Sequence, residues 1–331
     1  VTTGQLRIKD STGRLSNTLN LEFIFEAAPP ASVKPLMGAS TSSNTTWATL
    51  ETAIGAFQSR RTYGSTTPSN FEASQAGSAN DLEAGRASYW SFKPSMSTFP
   101  TDTAAQNALR TLLRSVPVGH RFVIITYHEP EDNIAQSQFT LAQWKASVVK
   151  TGEIVDEIRA EQGANSKLRA GICLMGPWTF DSRSNYDTWD WAWTAAELER
   201  IDVVCIDPYR WNPGDPSLEQ ILTRNDSGTA TGTDRSTMTK LLQWGKPVVL
   251  SEWGCTSTSV TDANRAAWIR AAYAWFNTWN AAHPAVPIES ALYFHNNLDV
   301  TAEPRATWEL LASGQEQSKQ ALIDVTADAR T

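Results

Sequence analysis

Short apolar runs alternate with longer amphipathic stretches along most of the chain, a pattern that predicts strands buried on both faces and joined by helices. Eight runs follow residue 34: Pro35–Ser40, Arg60–Gly64, Arg86–Phe92, Arg121–Tyr127, Leu168–Met175, Asp202–Asp207, Pro247–Glu252 and Glu289–Phe294. Between them, apolar positions recur at helical spacing over Trp47–Phe57, Ala104–Leu113, Leu141–Ala160, Trp193–Arg200, Ser236–Trp244, Asp262–Ala282 and Pro304–Leu311. The stretch between the second and third runs has the weakest helical pattern. Each strand–helix unit takes about 37 residues, the normal size of a (β/α) repeat, and the units share no sequence repeat.

Eight such units close most economically into a (β/α)8 TIM barrel with right-handed crossovers. The alternative is an open doubly wound sheet. Met37-Gly38-Ala39-Ser40 and Met175-Gly176-Pro177-Trp178 do not match its glycine-rich phosphate loop, and no other strand is followed by one. A barrel places chemistry just beyond the C-terminal ends of its strands.

Residues 1–34 differ from the barrel region at 35–331. Leu6 and Ile8 alternate with polar neighbours, Ser11-Thr12-Gly13 gives a turn, and Leu19, Leu21, Phe23 and Phe25 repeat every second residue. The pattern predicts a β-hairpin arm, followed by a stiff linker at Ala27-Ala28-Pro29-Pro30-Ala31-Ser32. A lone hairpin is marginal in water, so its apolar face calls for the main body, a second chain or an upstream domain. Self-association or a larger assembly through residues 1–34 is therefore an expectation.

Composition narrows the partners. The formal charge is −7 with no basic cluster, which argues against nucleic acid. Apolar stretches such as Ala271–Phe276 fall far short of the roughly 20 residues of a membrane span, and Val1–Gly4 lacks the pattern of a signal peptide. Cys173, Cys205 and Cys255 sit in or beside apolar runs as packed, reduced thiols. The four histidines lack metal-ligand spacing, so no metal and no cofactor are expected.

The candidate chemistry lies at two strand ends. The fourth run closes with His128-Glu129-Pro130 and the seventh with Glu252-Trp253-Gly254. In a closed barrel these strands face each other across the mouth. A strand-end glutamate is ordinarily a surface charge, but two that close buried apolar strands at these positions point to a catalytic pair. Carboxylates roughly 5–5.5 Å apart hydrolyse glycosides with retention: one attacks the anomeric carbon, while the other protonates the leaving oxygen and later deprotonates water. Burial and neighbouring negative charge would raise the acid's pKa.

These motifs resemble the clan A glycoside hydrolases. His128 before the first glutamate, where most of that clan has Asn, and Asp207-Pro208-Tyr209-Arg210-Trp211 after the sixth run resemble glycoside hydrolase family 26, known for β-mannanases with some β-1,3-1,4-glucanases and β-1,3-xylanases. The resemblance spans about residues 35–313. It implies Glu129 as acid/base, Glu252 as nucleophile, His128 as a hydrogen-bond partner near the reacting sugar, and Tyr209 as the residue orienting Glu252. Glu129-Pro130-Glu131-Asp132-Asn133 departs from that family's usual continuation, a Met-Asn-Gly type sequence and a Trp, so β-mannan comes first among several neutral β-glycans.

Fourteen tryptophans, about three times the usual number, point the same way. Trp178, Trp211 and Trp253 follow the fifth, sixth and seventh runs, and Trp90 lies near the end of the third. All four are expected to ring the mouth and present indole faces to sugar C–H faces. Phe180, Tyr186, Trp189 and Trp191 form either one wall of a cleft or a loop pinned to the body. Trp144, Trp268, Trp275 and Trp279 fall inside helix patterns as packing residues. His295, Asn296 and Lys93 follow strands and are candidates for sugar hydroxyls. Asp207 suits a supporting role, while Glu131, Asp132, Asp181, Asp187 and Asp190 suit solvated loop positions. The expectation is a retaining, endo-acting β-glycoside hydrolase, extracellular or virion-associated. The alternative is a carbohydrate-binding or structural barrel module of a surface or virion tail assembly.

Overall fold

Residues 2–6, 19–23, 34–41, 44–64, 80–180, 186–210, 216–223, 236–257, 260–296 and 308–331 are described by the structure, a computed structural model. Strands β1 (Thr2–Leu6) and β2 (Leu19–Phe23) pair antiparallel, with Thr2 opposite Phe23 and Leu6 opposite Leu19. Ile8, Phe25 and the linker lie outside the described residues.

All eight apolar runs are strands: β3 (Leu36–Thr41), β4 (Ser59–Tyr63), β5 (Ala87–Phe92), β6 (Phe122–Thr126), β7 (Leu168–Leu174), β8 (Val203–Ile206), β10 (Val248–Cys255) and β11 (Ile288–His295). Each pairs in parallel with its neighbour, and β11 pairs with both β10 and β3, which closes the barrel. A two-residue strand, β9 (Tyr209–Arg210), joins the far end of β10.

Helices return the chain between strands: α1 (Asn44–Ile54), α2 (Asn80–Glu83), α3 (Thr103–Ser115), α4 (Pro130–Ala135), α5 (Leu141–Gln162), α6 (Pro177–Phe180), α7 (Ala195–Leu198), α8 (Leu218–Thr223), α9 (Thr237–Trp244), α10 (Asp262–Ala282) and α11 (Glu316–Ala329). Local chemistry sets their starts. Asp102 accepts from the Ala105 amide at the head of α3, and Thr140 and Gln143 form a reciprocal capping box on α5. The helix expected at Pro304–Leu311 is not found over its described part, residues 308–311. Trp308 is buried there against Tyr209 and Phe294, and the last helix begins only after Gly314 at φ 82°.

Strand alternation sorts the side chains into two cores. Tyr89, Val123, Ile125, Cys173, Cys205, Val249 and Leu292 fill the barrel interior. Met37, Ile172, Val204, Val248 and Leu250 face outward into the helix-side core. The adjacent arginines of β4 divide accordingly. The Arg60 guanidinium lies 4.7 Å from the Trp47 ring of α1, whereas Arg61 points inward among Cys173, Cys205, Asp207 and Glu252.

One break in alternation matters for the site. Simple alternation places Ser251 and Trp253 of β10 on the same face. The register of β10 against β11 shifts between Leu250 and Trp253, so Ser251 and Glu252 both reach groups of the interior and Trp253 turns outward. Trp253 is fully buried there, stacked on Trp268 at 5.7 Å and edge-on to Phe276 and Tyr293 at 5.4 Å. Its expected place at the mouth is thus overturned by the bulge. Trp90 also departs from expectation: it faces outward into the core beneath α3 and α5, 6.0 Å from Phe122.

Replacing a buried indole leaves a large void. Trp253→Ala should lower the unfolding free energy by about 3–5 kcal/mol in a urea titration. A variant as stable as the parent would mean that this ring is not a core element.

Candidate active site

The site begins where β6 ends in a constrained turn. Tyr127 and Glu129 adopt left-handed backbone angles, φ 50° and 49°. For residues other than glycine this conformation costs about 1–3 kcal/mol each and persists only where the surroundings enforce it. Here the Glu129 amide donates to the Cys173 carbonyl of β7 at 3.0 Å, and Pro130 starts α4 with the φ a first helical residue requires. Glu129 is thereby fixed at the C-terminal end of the barrel. Burial, then the negative charges of Asp207 and Glu131, push its pKa up to about 8, against the pull of Arg61 and Lys93.

Glu252 approaches from β10. It is buried, and burial raises its pKa to about 7 while Arg61 draws it down. The Tyr209 hydroxyl donates to Glu252 Oε2. β9 pairs Tyr209 and Arg210 with Gly254 and Cys255, which carries the phenol to the carboxylate. Phe294 at 5.6 Å and Trp308 at 4.7 Å hold the Tyr209 ring. Tyr209 also lies in the field of Glu129, and Arg61 in the fields of both glutamates. The two carboxylates therefore share one electrostatic site.

Beneath them lies a network that the strand motifs did not reveal. Arg61 is buried, and none of its guanidinium nitrogens has a hydrogen-bond partner among the described residues. Asp207, also buried, accepts from Ser251 Oγ at 2.5 Å and Cys173 Sγ at 3.1 Å. Its pKa is raised by burial and held back chiefly by Arg61. All three cysteines are buried, and none forms a disulfide among the described residues.

Glu131 is a correction: it is fully buried, not a solvated loop carboxylate. Its Oε1 accepts from the Met175 amide at 3.0 Å and from the Thr179 hydroxyl, tying α4 to the loop after β7. Burial raises its pKa to about 7. The signal for Glu131 was its place one residue inside a short helix opened by Pro130, and for Arg61 the Arg-Arg pair in a buried strand, one of which must face inward.

The remaining candidates separate. His128 packs edge-on to Tyr63 at 5.2 Å, and the Tyr63 hydroxyl bonds Ser40 Oγ at 2.8 Å. Burial, with Arg61 and Lys93 nearby, lowers the His128 pKa well below its ordinary value, so the ring is neutral. Lys93 joins the site, beside Glu129 and 4.9 Å from the Tyr127 ring. Trp178 is 42% exposed after β7. His295 does not present a free ring: it is buried, its Nδ1 accepts from the Leu310 amide at 3.1 Å, and burial lowers its pKa to about 4. The half-buried Asn296 receives the Trp308 amide on its carbonyl. Trp211 and Asp181 lie outside the described residues, as do segments 65–79 and 297–307 that follow barrel strands at this end. Among the described residues, no group of three or more His, Cys, Asp and Glu side chains is placed to hold a metal ion.

In shape the chain is similar to a family 39 glycoside hydrolase from the gut symbiont Bacteroides cellulosilyticus WH2, with a TM-score of 0.56 and 15% identity over 98% of this chain and 70% of that one. It is also similar to a glucosidase from Croceicoccus marinus, with a TM-score of 0.56 and 13% identity over 92% of this chain and 68% of that one. At such identities the likeness establishes the barrel. No family profile matches the chain, and no curated protein matches it.

A glutamate whose folded pKa lies above its unfolded value stabilises the fold fully at low pH and loses that contribution as pH rises through the folded pKa. Glu131→Gln, which keeps an oxygen for Met175 and Thr179, should therefore flatten the decline in stability between about pH 4.5 and pH 7. The change should be about 1.4 kcal/mol for each unit of displaced pKa. Denaturant unfolding at pH 5 and pH 8 checks this; an unchanged pH dependence would show that Glu131 is not titrating from a buried state.

Proposed function

We propose that the protein is a retaining, endo-acting glycoside hydrolase that cleaves a neutral β-linked polysaccharide. The observation that supports this reading is that two buried carboxyls, Glu129 and Glu252, both lie in the field of Arg61, with Tyr209 bonded to the second and in the field of the first. Burial raises the pKa of both carboxyls, and at Glu129 the charges of Asp207 and Glu131 add to it. A carboxyl that holds its proton near neutrality suits the donor of such a pair.

In the first step the carboxylate form of Glu252, oriented by the Tyr209 hydroxyl and favoured by Arg61, attacks the anomeric carbon. The C1–O bond breaks, its electron pair passes to the leaving oxygen, and Glu129 protonates that oxygen. A glycosyl ester on Glu252 of inverted configuration results. In the second step Glu129, now a carboxylate, takes a proton from water; the water oxygen bonds C1, the ester breaks, and the original configuration returns. Neutral His128 sits beside Glu129 to hydrogen-bond the sugar, and Lys93 stabilises the anionic form of Glu129 between the two steps.

The modest negative charge and the exposed Trp178 at this end suit an uncharged glycan. The family 26 resemblance at His128-Glu129 and Asp207-Pro208-Tyr209 puts β-mannan first. A polymeric substrate favours action outside a cell or on a virion.

Glu252→Ala should abolish turnover of an activated aryl β-glycoside, and added azide should restore it with an inverted glycosyl azide as product. Full activity in that variant would remove the assignment. In the parent, kcat/KM should rise with pH as Glu252 ionises near 7 and fall as Glu129 deprotonates near 8, giving a narrow bell between them. A plateau extending from pH 5 to pH 10 would contradict these roles.

A further inference from the structure

Glu131 is a buried carboxyl that the two-step mechanism does not use. It sits two residues beyond Glu129, in the first turn of α4, and is wholly shielded from water. Its hydrogen bonds run to one neighbouring segment. Oε1 accepts from the Met175 amide at 3.0 Å and from the Thr179 hydroxyl of α6, while Oε2 is buried with no hydrogen-bond partner among the described residues. An oxygen left in that state is costly, so the carboxyl is retained at an expense in stability.

The same segment also holds Glu129, whose amide donates to the Cys173 carbonyl at 3.0 Å. The two ties are two residues apart on both sides, 129 and 131 against 173 and 175. Pro130 between them has a fixed φ, so the ties clamp the Glu129 turn to the end of β7 and oppose relaxation of its left-handed backbone. A glutamine would accept the same two bonds. What a carboxylate adds is charge, and Glu129 lies in its field.

Resting on the proposed hydrolase reading, we infer that Glu131 is a positioning residue for proton transfer: it fixes the turn that aims Glu129 at the leaving oxygen, and its charge hinders Glu129 from losing its proton before that transfer.

The other charged groups around Glu129 come from four elements. Asp207 after β8 also opposes its ionisation, while Arg61 of β4 and Lys93 after β5 favour it. Cys173 of β7 and Tyr209 of β9 share this field as neutral groups, their ionisation suppressed chiefly by burial, and His128 is neutral too. Glu131 itself faces Asp207 and Tyr186. Replacing Glu131 thus removes one of two negative neighbours and leaves both cations in place.

Dependence on the leaving group reads proton donation. A 2,4-dinitrophenyl β-glycoside departs without a proton, whereas a 4-methoxyphenyl β-glycoside of the same sugar needs one, and kcat/KM reports the step that breaks this bond. In Glu131→Ala, kcat/KM should fall about tenfold or more on the methoxyphenyl substrate and less than about threefold on the dinitrophenyl one. Thr179→Val keeps the carboxylate but loses one tie, and should show the same split at about half that depth or less. Glu131→Gln should return methoxyphenyl turnover to within about threefold of the parent, while the alkaline limb of its kcat/KM profile moves down by about half a pH unit. The inference is overturned if Glu131→Ala depresses both substrates equally, or if Glu131→Gln leaves the alkaline limb where the parent has it. Should Glu131→Ala fail to fold, the Thr179→Val split and the Glu131→Gln limb decide the question. Failure of the hydrolase reading shows separately, as a parent inactive on both substrates.

Discussion

Negative charge gathered away from water around one buried cation is the constraint on which the site depends. Glu129, Asp207 and Glu252 each have a pKa raised by burial, and each is drawn back by the same guanidinium, that of Arg61. Burial favours the protonated form of all three carboxyls, and that charge opposes it at each of them. A strand that alternates inward and outward residues is the simplest way to place an arginine there, and β4 does so while sending its neighbour Arg60 to the helix side.

The carboxylates arrive by departures from regular structure. β6 ends in left-handed residues that turn Glu129 onto α4, and β10 bulges so that Ser251 and Glu252 both meet the interior. Ser251 uses the opportunity to hold Asp207, which in turn adds to the charge felt by Glu129. Tyr209, delivered by a two-residue strand on the extension of β10, touches one glutamate and lies in the field of the other. Local irregularity at two strand ends thus sets both the positions and the proton affinities of the site.

These departures explain what the sequence did and did not disclose. The eight strands are legible because each is a continuous apolar run buried on both sides, and a strand-end glutamate stands out against such a run. Trp253 and Trp90 misled because nearness to a strand end says nothing of the face a side chain takes, and a bulge reverses that face at Trp253. His295 misled for another reason: its ring nitrogen is engaged by Leu310, fifteen residues on, a contact no local pattern encodes. Glu131 looked solvated because α4 is too short to show a helical period. Trp189 and Trp191, ambiguous as isolated residues, pack on each other and, through Trp191, on Trp144 of α5.

In the proposed mechanism Glu252 bonds covalently to the sugar while Glu129 handles the proton. Mass spectrometry of peptides after incubation with an activated 2-deoxy-2-fluoro β-glycoside, in the manno and gluco forms, reads that bond directly. A single glycosyl label is expected on the peptide carrying Glu252, formed as activity is lost. A label on Glu129, Asp207 or Glu131, or turnover with no glycosyl-enzyme formed by either form, would contradict it.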